Sequence, residues 1–183
     1  MKKNILLDQA HAILSSLLSK DDVVVDATMG NGYDTLFLSE IAKEVYAFDI
    51  QLNAIAKTKE KVGELSHVHL IHDSHENLIN YVNTFKAVIF NLGYLPQGDK
   101  EITTKTKTTL KTLNLILPIL KKDGFIQLIV YPGHEEGKSE DQAIQSWIQT
   151  LNPHHYHIIE TRFLHEEKHP PYMLMIYKTK DES

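Results

Sequence analysis

Val23-Val24-Val25-Asp26-Ala27-Thr28-Met29-Gly30-Asn31-Gly32-Tyr33-Asp34 carries an apolar, β-branched run into a turn punctuated by two glycines. β-Branched side chains pack well on a pleated surface, so the run predicts a strand. Leu36, Phe37 and Ile41 behind the turn have helical spacing. Gly30 and Gly32 can take positive φ and carry no Cβ, so the chain bends sharply while its N–H groups stay open to a ligand. Asp49 closes the next apolar run, Val45-Tyr46-Ala47-Phe48. It lies about twenty residues on, where α/β nucleotide folds place an acid that accepts from both ribose hydroxyls.

A phosphate ligand fits this turn poorly. Dinucleotide sites show G-x-G-x-x-G and phosphate-cradling loops need a Lys after their last Gly, and neither occurs here. Asp26 before the turn and Asp34 after it would repel a pyrophosphate and suit a cationic ligand. For the turn taken alone, an ordinary strand-turn-helix with chance glycines stands as the alternative.

The 183 residues, 42% of them hydrophobic, suit one domain with a sizeable core over 1–183. Cysteine is absent, which rules out a disulfide or thiolate-metal framework and fits a reducing compartment. No apolar run approaches the ~18 residues of a membrane span. The start, Met1-Lys2-Lys3-Asn4, leads into an amphipathic stretch unlike a signal sequence, so a soluble cytoplasmic protein is expected. A net charge of -5 argues against broad nucleic-acid binding but leaves room for a local basic face.

Strand and helix patterns alternate along the chain, the signature of an α/β fold. Ile5 through Leu18 predicts an opening helix, with strands over 45–49, 67–71, 85–90 and 125–131 and a closing hairpin over 156–163 and 172–177. Helices are expected over 52–65, 75–81, 104–121, where Pro118 marks a kink or last turn, and 142–150. Asp26, Asp49, Asp73 and Asn91 then each end a predicted strand, and in such sheets ligands sit at the carboxyl ends of the strands.

D-A-T-M-G-N-G-Y-D resembles motif I of the class I S-adenosylmethionine-dependent methyltransferases. The resemblance implies a Rossmann-like, mostly parallel seven-stranded sheet in the order 3-2-1-4-5-7-6, the seventh strand antiparallel, with helices on both faces. It implies that Asp26, Thr28, Met29, Gly30, Asn31 and Gly32 hold the methionine moiety of S-adenosylmethionine and that Asp34 meets its ammonium directly or through water. Asp49, Ile50 and Gln51 would hold the ribose and cover adenine, and Asp73, Ser74 and His75 fill the slot facing adenine's exocyclic amine. Asp73 or Ser74 serves equally well as the N-cap of the following short helix.

Asn91-Leu92-Gly93-Tyr94-Leu95-Pro96 resembles the [Asn/Asp/Ser]-Pro-Pro-[Tyr/Phe] tetrapeptide of amine-directed methyltransferases. There the amide or acidic oxygen orients the target NH₂, and the aromatic ring stacks on the substrate. Asn91 and Tyr94 match in type and spacing; Leu92 and Gly93 replace the two prolines, giving a looser loop than one built for a flipped adenine. A plain strand-exit turn remains the alternative. His134, in Tyr131-Pro132-Gly133-His134, is a candidate proton acceptor or substrate-positioning group at the same edge, and a loop histidine without a role is the alternative. The His residues show no zinc-binding spacing, so no metal is expected.

Together with F-D-I-Q, H-D-S-H-E-N, Y-P-G-H-E-E-G and H-P-P-Y, these motifs resemble, over nearly the whole chain, a small bacterial methyltransferase family long labelled as rRNA methylases. The family includes the tRNA methyltransferase that converts 5-aminomethyl-2-thiouridine at the wobble position to its 5-methylaminomethyl form. The resemblance implies a tRNA anticodon stem-loop as partner, Asn91, Tyr94 and His134 as catalytic residues, and substrate contact from Leu92 through Pro96. Lys105 and Lys107, in the Thr-rich basic stretch that follows, are placed to grip phosphates, or else form a solvated helix face. An rRNA base, a small-molecule amine or a non-catalytic RNA-binding role are the alternatives. Pairing into a homodimer is compatible with the apolar opening helix, which suits either core or interface.

Overall fold

The strand after the opening helix decides the layout, because Val24 and Val25 point to opposite faces and both are fully buried. A strand so placed needs cover on two sides. In the computed structural model, which describes residues 4–93, 106–165 and 169–180, the cover comes from helices on each face. The elements are α1 (Ile5–Leu17), β1 (Val23–Asp26), α2 (Tyr33–Ile41), β2 (Glu44–Asp49), α3 (Leu52–Val62), β3 (Val68–His72), a 3-10 helix (His75–Asn80), β4 (Phe85–Leu92), α4 (Thr106–Ile116), β5 (Leu120–Val130), α5 (Glu135–Ile148), β6 (Tyr156–Thr161) and β7 (Tyr172–Lys178).

The seven strands form one sheet in the order β3-β2-β1-β4-β5-β7-β6. β1 pairs in parallel with β2 and β4, with Asp26 level with Ala47 and Ile89, whereas β7 runs antiparallel to both β5 and β6. The parallel strands therefore end along one edge, and Asp26, Asp49, His72 and Leu92 mark it.

Alternate residues feed two cores. On one face Leu6, Ala10 and Leu14 of α1 and Leu38 of α2 pack with Val24, Ala87, Ile89 and Met173. On the other, Leu113 and Ile116 of α4 and Ile144 and Trp147 of α5 pack with Val25, Val88 and Phe90. Each fully buried Val, Leu, Ile, Met or Phe among them contributes about 1.5–3 kcal/mol. The apolar stripe of α1 is thus core, while Ile5 and Leu17 at its ends stay exposed.

Three boundaries differ from the sequence expectation by five residues or more. α5 begins at Glu135, seven residues before Gln142. Its polar first turns show no apolar stripe, and they are held by His134, which accepts from the Gly137 N–H. α4 ends at Ile116 rather than Lys121, because Pro118 lacks the N–H to continue the ladder and disfavours helix in the residue before it. β5 starts at Leu120 rather than Phe125, its first residue paired in register with Phe85. No helix among the described residues is long and apolar enough to cross a membrane.

Candidate active site

The turn after β1 is built from the backbone outward. Gly30 and Gly32 have φ of 51° and 75°. At Gly32 a Cβ would stand 2.6 Å from Thr58 Oγ1 and 2.9 Å from its Cα, so both the conformation and the space demand glycine. The turn is tied to its neighbours by Met29 N–H to Phe48 O at 3.0 Å and Ala27 N–H to Ile89 O at 2.9 Å. Met29 buries its side chain against Ala47 and Ala54, so only its backbone faces the turn.

Three acids surround this turn. Asp26, 1% exposed, accepts from Thr35 Oγ1 at 2.6 Å and from Thr28 N–H at 3.2 Å. Burial pushes its carboxyl well above the usual range, and the neighbouring Asp34 pushes it further. Asp49 accepts from Gly30 N–H at 3.0 Å and Gln51 N–H at 2.9 Å; burial raises its pKa too, against the pull of those two N–H groups. Asp34, at the start of α2, receives His11 Nε2 on one oxygen at 2.7 Å and Asn91 Nδ2 on the other at 3.3 Å.

Asn91 is fixed twice. Its backbone N–H donates to Thr28 Oγ1 at 2.7 Å, which joins β4 to the glycine turn. Its amide nitrogen faces the Asp34 carboxylate, a pure acceptor, so its Oδ1 is turned elsewhere. Burial pushes the phenol of Tyr131, just past β5, up to about 12, with Asp34 adding to the rise and the Asn91 side chain opposing it. Leu92 is buried in the core, so its backbone alone is available to a ligand, while Gly93 closes a tight turn by donating to Asn91 O at 2.9 Å. Tyr94, Leu95, Pro96 and Lys105 lie outside the described residues.

Beside β3, Asp73 is engaged locally: it accepts from Ser74 N–H, Asn77 Nδ2 and Tyr81 Oη, and these bonds, Asn77's first, hold its carboxyl below the usual range. Ser74 caps the 3-10 helix, accepting from Glu76 N–H. His75 donates Nδ1–H to Ala27 O at 3.1 Å, and burial lowers its pKa. Neutral His75 therefore presents Nε2 as an acceptor, and this atom is buried with no partner among the described residues, as is Oδ1 of Asn31. Ile50 is exposed at the rim, and Gln51 precedes α3.

His134 is the N-cap of α5. Its Nδ1 accepts from Gly137 N–H at 3.0 Å, which places the proton of the neutral ring on Nε2. A Cβ on Gly137 would fall 2.0 Å from Tyr131 O, so a glycine there lets α5 start against the end of β5. Lys107 is exposed on α4, whereas Lys111 pairs with Glu76 at 2.8 Å. Among the described residues no three His, Asp or Glu side chains group as a metal site.

Sequence reasoning missed His11 and the place of Tyr131 beside Asn91 and Asp34. His11 stacks flat on Phe37, with ring centroids 4.0 Å apart and planes within 2°. Nothing in linear spacing links a polar residue of an opening helix to the turn after β1.

The family described as "Putative rRNA methylase" matches residues 45–177. The "tRNA (mnm(5)s(2)U34)-methyltransferase, chloroplastic" of Arabidopsis thaliana is 36% identical over 75% of this chain, and the chain spans 57% of that protein's length. The crystal structure of an rRNA-methylase, so described with the qualifier "putative", from Clostridium thermocellum is 34% identical, with a TM-score of 0.90 over 97% of this chain and 100% of that one. A "putative methyltransferase" of Streptococcus mutans, solved in complex with SAH, is 39% identical with a TM-score of 0.87, covering 97% of this chain and 99% of that one.

Proposed function

Because this chain belongs to the family described as "Putative rRNA methylase", we propose that it transfers a methyl group from S-adenosylmethionine to the primary amine of 5-aminomethyl-2-thiouridine at the wobble position of tRNA. The product is the 5-methylaminomethyl nucleoside. The substrate is supported by the Arabidopsis relative, which is named for that nucleoside, and the cofactor by the Streptococcus mutans neighbour, which holds SAH.

The residues at the strand ends suit such a cofactor. Gly30 and Gly32 hold the turn at positive φ, and the acids Asp26, Asp34 and Asp49 complement a cation and sugar hydroxyls rather than a phosphate. The orphaned acceptors Asn31 Oδ1 and His75 Nε2 match donors of the ammonium and of the adenine amine. Asp26, the backbone of Thr28 to Gly32 and Asn31 would hold the methionine moiety, Asp49, Ile50 and Gln51 the ribose and adenine face, and Ser74 and His75 the adenine edge. Asp34, with both oxygens engaged, would reach the ammonium through a remaining lone pair or a water.

When bound, S-adenosylmethionine supplies a methyl group already activated on a sulfonium. The chain's task is to present a neutral amine in line with it, and positioning of this kind is worth up to about 7–11 kcal/mol. The observation that carries the proposal is the Asn91 amide: with Nδ2 on Asp34, Oδ1 is the atom left to accept an N–H of the amine and aim its lone pair. Tyr94 would stack on the base. His134, whose Nδ1 is engaged by Gly137, acts as a donor that positions substrate rather than as the proton acceptor. The proton released when the amine becomes methylated passes to solvent. Lys105 and Lys107 would contact anticodon phosphates.

The test is incubation of the purified protein and S-adenosylmethionine with tRNA bearing 5-aminomethyl-2-thiouridine, with unmodified tRNA alongside, followed by nucleoside mass spectrometry. One methyl gained on that nucleoside alone is the expected result. A methyl on another nucleoside, or none while the cofactor binds, overturns the substrate.

A further inference from the structure

The geometry points to a positioning role for His11: through Asp34 it locks the Asn91 amide with Oδ1 toward the acceptor amine. This inference rests on the reading of Asn91 as the group that orients the amine.

Three contacts in series carry it. His11 is held in plane by its stack on Phe37, and its Nε2 lies 2.7 Å from Asp34 Oδ1. An ionised carboxylate only accepts, so Nε2 carries the proton and the ring donates. Asp34 Oδ2 takes Asn91 Nδ2 at 3.3 Å. Rotating the amide by half a turn would set Oδ1 against a carboxylate, so one orientation is enforced as long as Asp34 is itself fixed.

His11 provides that fixing. Its side chain is 30% exposed and that of Asp34 17%, so the pair is sheltered enough for the bond to hold one rotamer. Among the described residues, the other hydrogen bond to the Asp34 side chain is the long 3.3 Å contact to Asn91, the very group to be oriented. Without the donor from α1, the carboxylate can turn and the amide loses its reference. His11 itself touches no reacting atom; it acts on the chemistry through two intervening side chains.

The variant His11→Phe keeps the ring stacked on Phe37 and removes the donor, while His11→Gln returns a donor near the position of Nε2. With wobble-modified tRNA, His11→Phe is expected to lower kcat about tenfold or more. KM for tRNA should stay unchanged, the affinity for S-adenosylhomocysteine should fall by less than kcat does, and His11→Gln should return kcat to within about threefold. Unchanged kcat in His11→Phe overturns the role, and so does an equal loss in His11→Gln.

A second readout does not need turnover. In protein labelled with ¹⁵N-asparagine, the Asn91 amide protons, assigned by difference from Asn91→Ala, should exchange slowly with water in the wild type and in His11→Gln and quickly in His11→Phe. Equal exchange in all three overturns the relay. If the wild type leaves the wobble nucleoside unmethylated but exchange depends on His11, the substrate falls and the relay stands. Should His11→Phe fail to fold, His11→Met, which also lacks the donor, takes its place in both measurements.

Discussion

The Asp49 carboxylate at the end of β2 accepts the N–H of Gly30, in the turn after β1, at 3.0 Å. Its other oxygen accepts from Gln51 N–H at 2.9 Å, so one side chain joins the glycine turn to the start of α3. Hydrogen bonds to a charged group are worth about 1.5–3 kcal/mol. Asp49→Ala should therefore weaken S-adenosylmethionine binding tenfold or more, through a lost ribose acceptor and a loosened turn. Isothermal titration checks this, and an affinity within about twofold of wild type would separate Asp49 from the cofactor.

Gly32→Ala tests the turn by sterics alone. The new Cβ would meet Thr58 Oγ1, Cγ2 and Cα at 2.6, 2.8 and 2.9 Å, at a φ of 75° that alanine rarely adopts. Overpacking with backbone strain costs about 1–3 kcal/mol. Thermal unfolding should show a lowered Tm, and Gly32→Ala with Thr58→Ala should recover only part of it, because the Thr58 Cα is still in place. Full recovery would mean that the side chain alone was the obstacle.

The sheet was legible because its strands are buried, β-branched runs, and the strand order followed from the motif resemblance and not from periodicity. The site was legible at its strand ends, where Asp26, Asp49 and Asn91 follow apolar runs. What escaped has physical causes. α5 opens with Glu135, Glu136, Gly137 and Lys138, polar turns whose stability comes from a histidine cap and a glycine that approaches Tyr131 O. His11 meets Asp34 only because α1 and α2 cover the same face of the sheet, a tertiary contact with no local signature. The side chains of Leu92 and Met29 illustrate the converse: both sit inside binding motifs, yet both fill the core.

Glu140 supplies a pH dependence. It is buried on α5 with Thr109 Oγ1 at 2.8 Å, and burial pushes its carboxyl from 4.5 up to about 7, against the pull of that hydroxyl. The folded state thus binds the proton more tightly than the unfolded chain. The stability this contributes is fully present below pH 4.5 and is lost as pH rises through about 7. Urea unfolding across that window should show Glu140→Gln equal to wild type at low pH and more stable at pH 8. Asp26 and Asp49, raised by burial as well, leave a residual slope of the same sign in the variant. Parallel curves for the two proteins would mean that Glu140 titrates normally.

Asn91 and Asp34 make a contact in which one partner must donate. In Asn91→Asp two carboxylates would stand where an amide and a carboxylate now lie 3.3 Å apart. Like charges at that distance repel, and the introduced carboxylate would turn away or take a proton, so its oxygen would no longer be offered to the amine. Asn91→Asp should therefore lose kcat about as severely as Asn91→Ala, on the order of a hundredfold, although an acid serves at this position in related tetrapeptides. Exchanging the two groups, Asp34→Asn with Asn91→Asp, restores a donor facing an acceptor: the amide brought onto α2 accepts from His11 and donates to the carboxylate brought onto β4. The double variant should exceed either single one in single-turnover methylation by about tenfold, about 1.4 kcal/mol of barrier, whereas two independent side chains would leave it slower than either. Additive losses would show that the two side chains do not act as a pair.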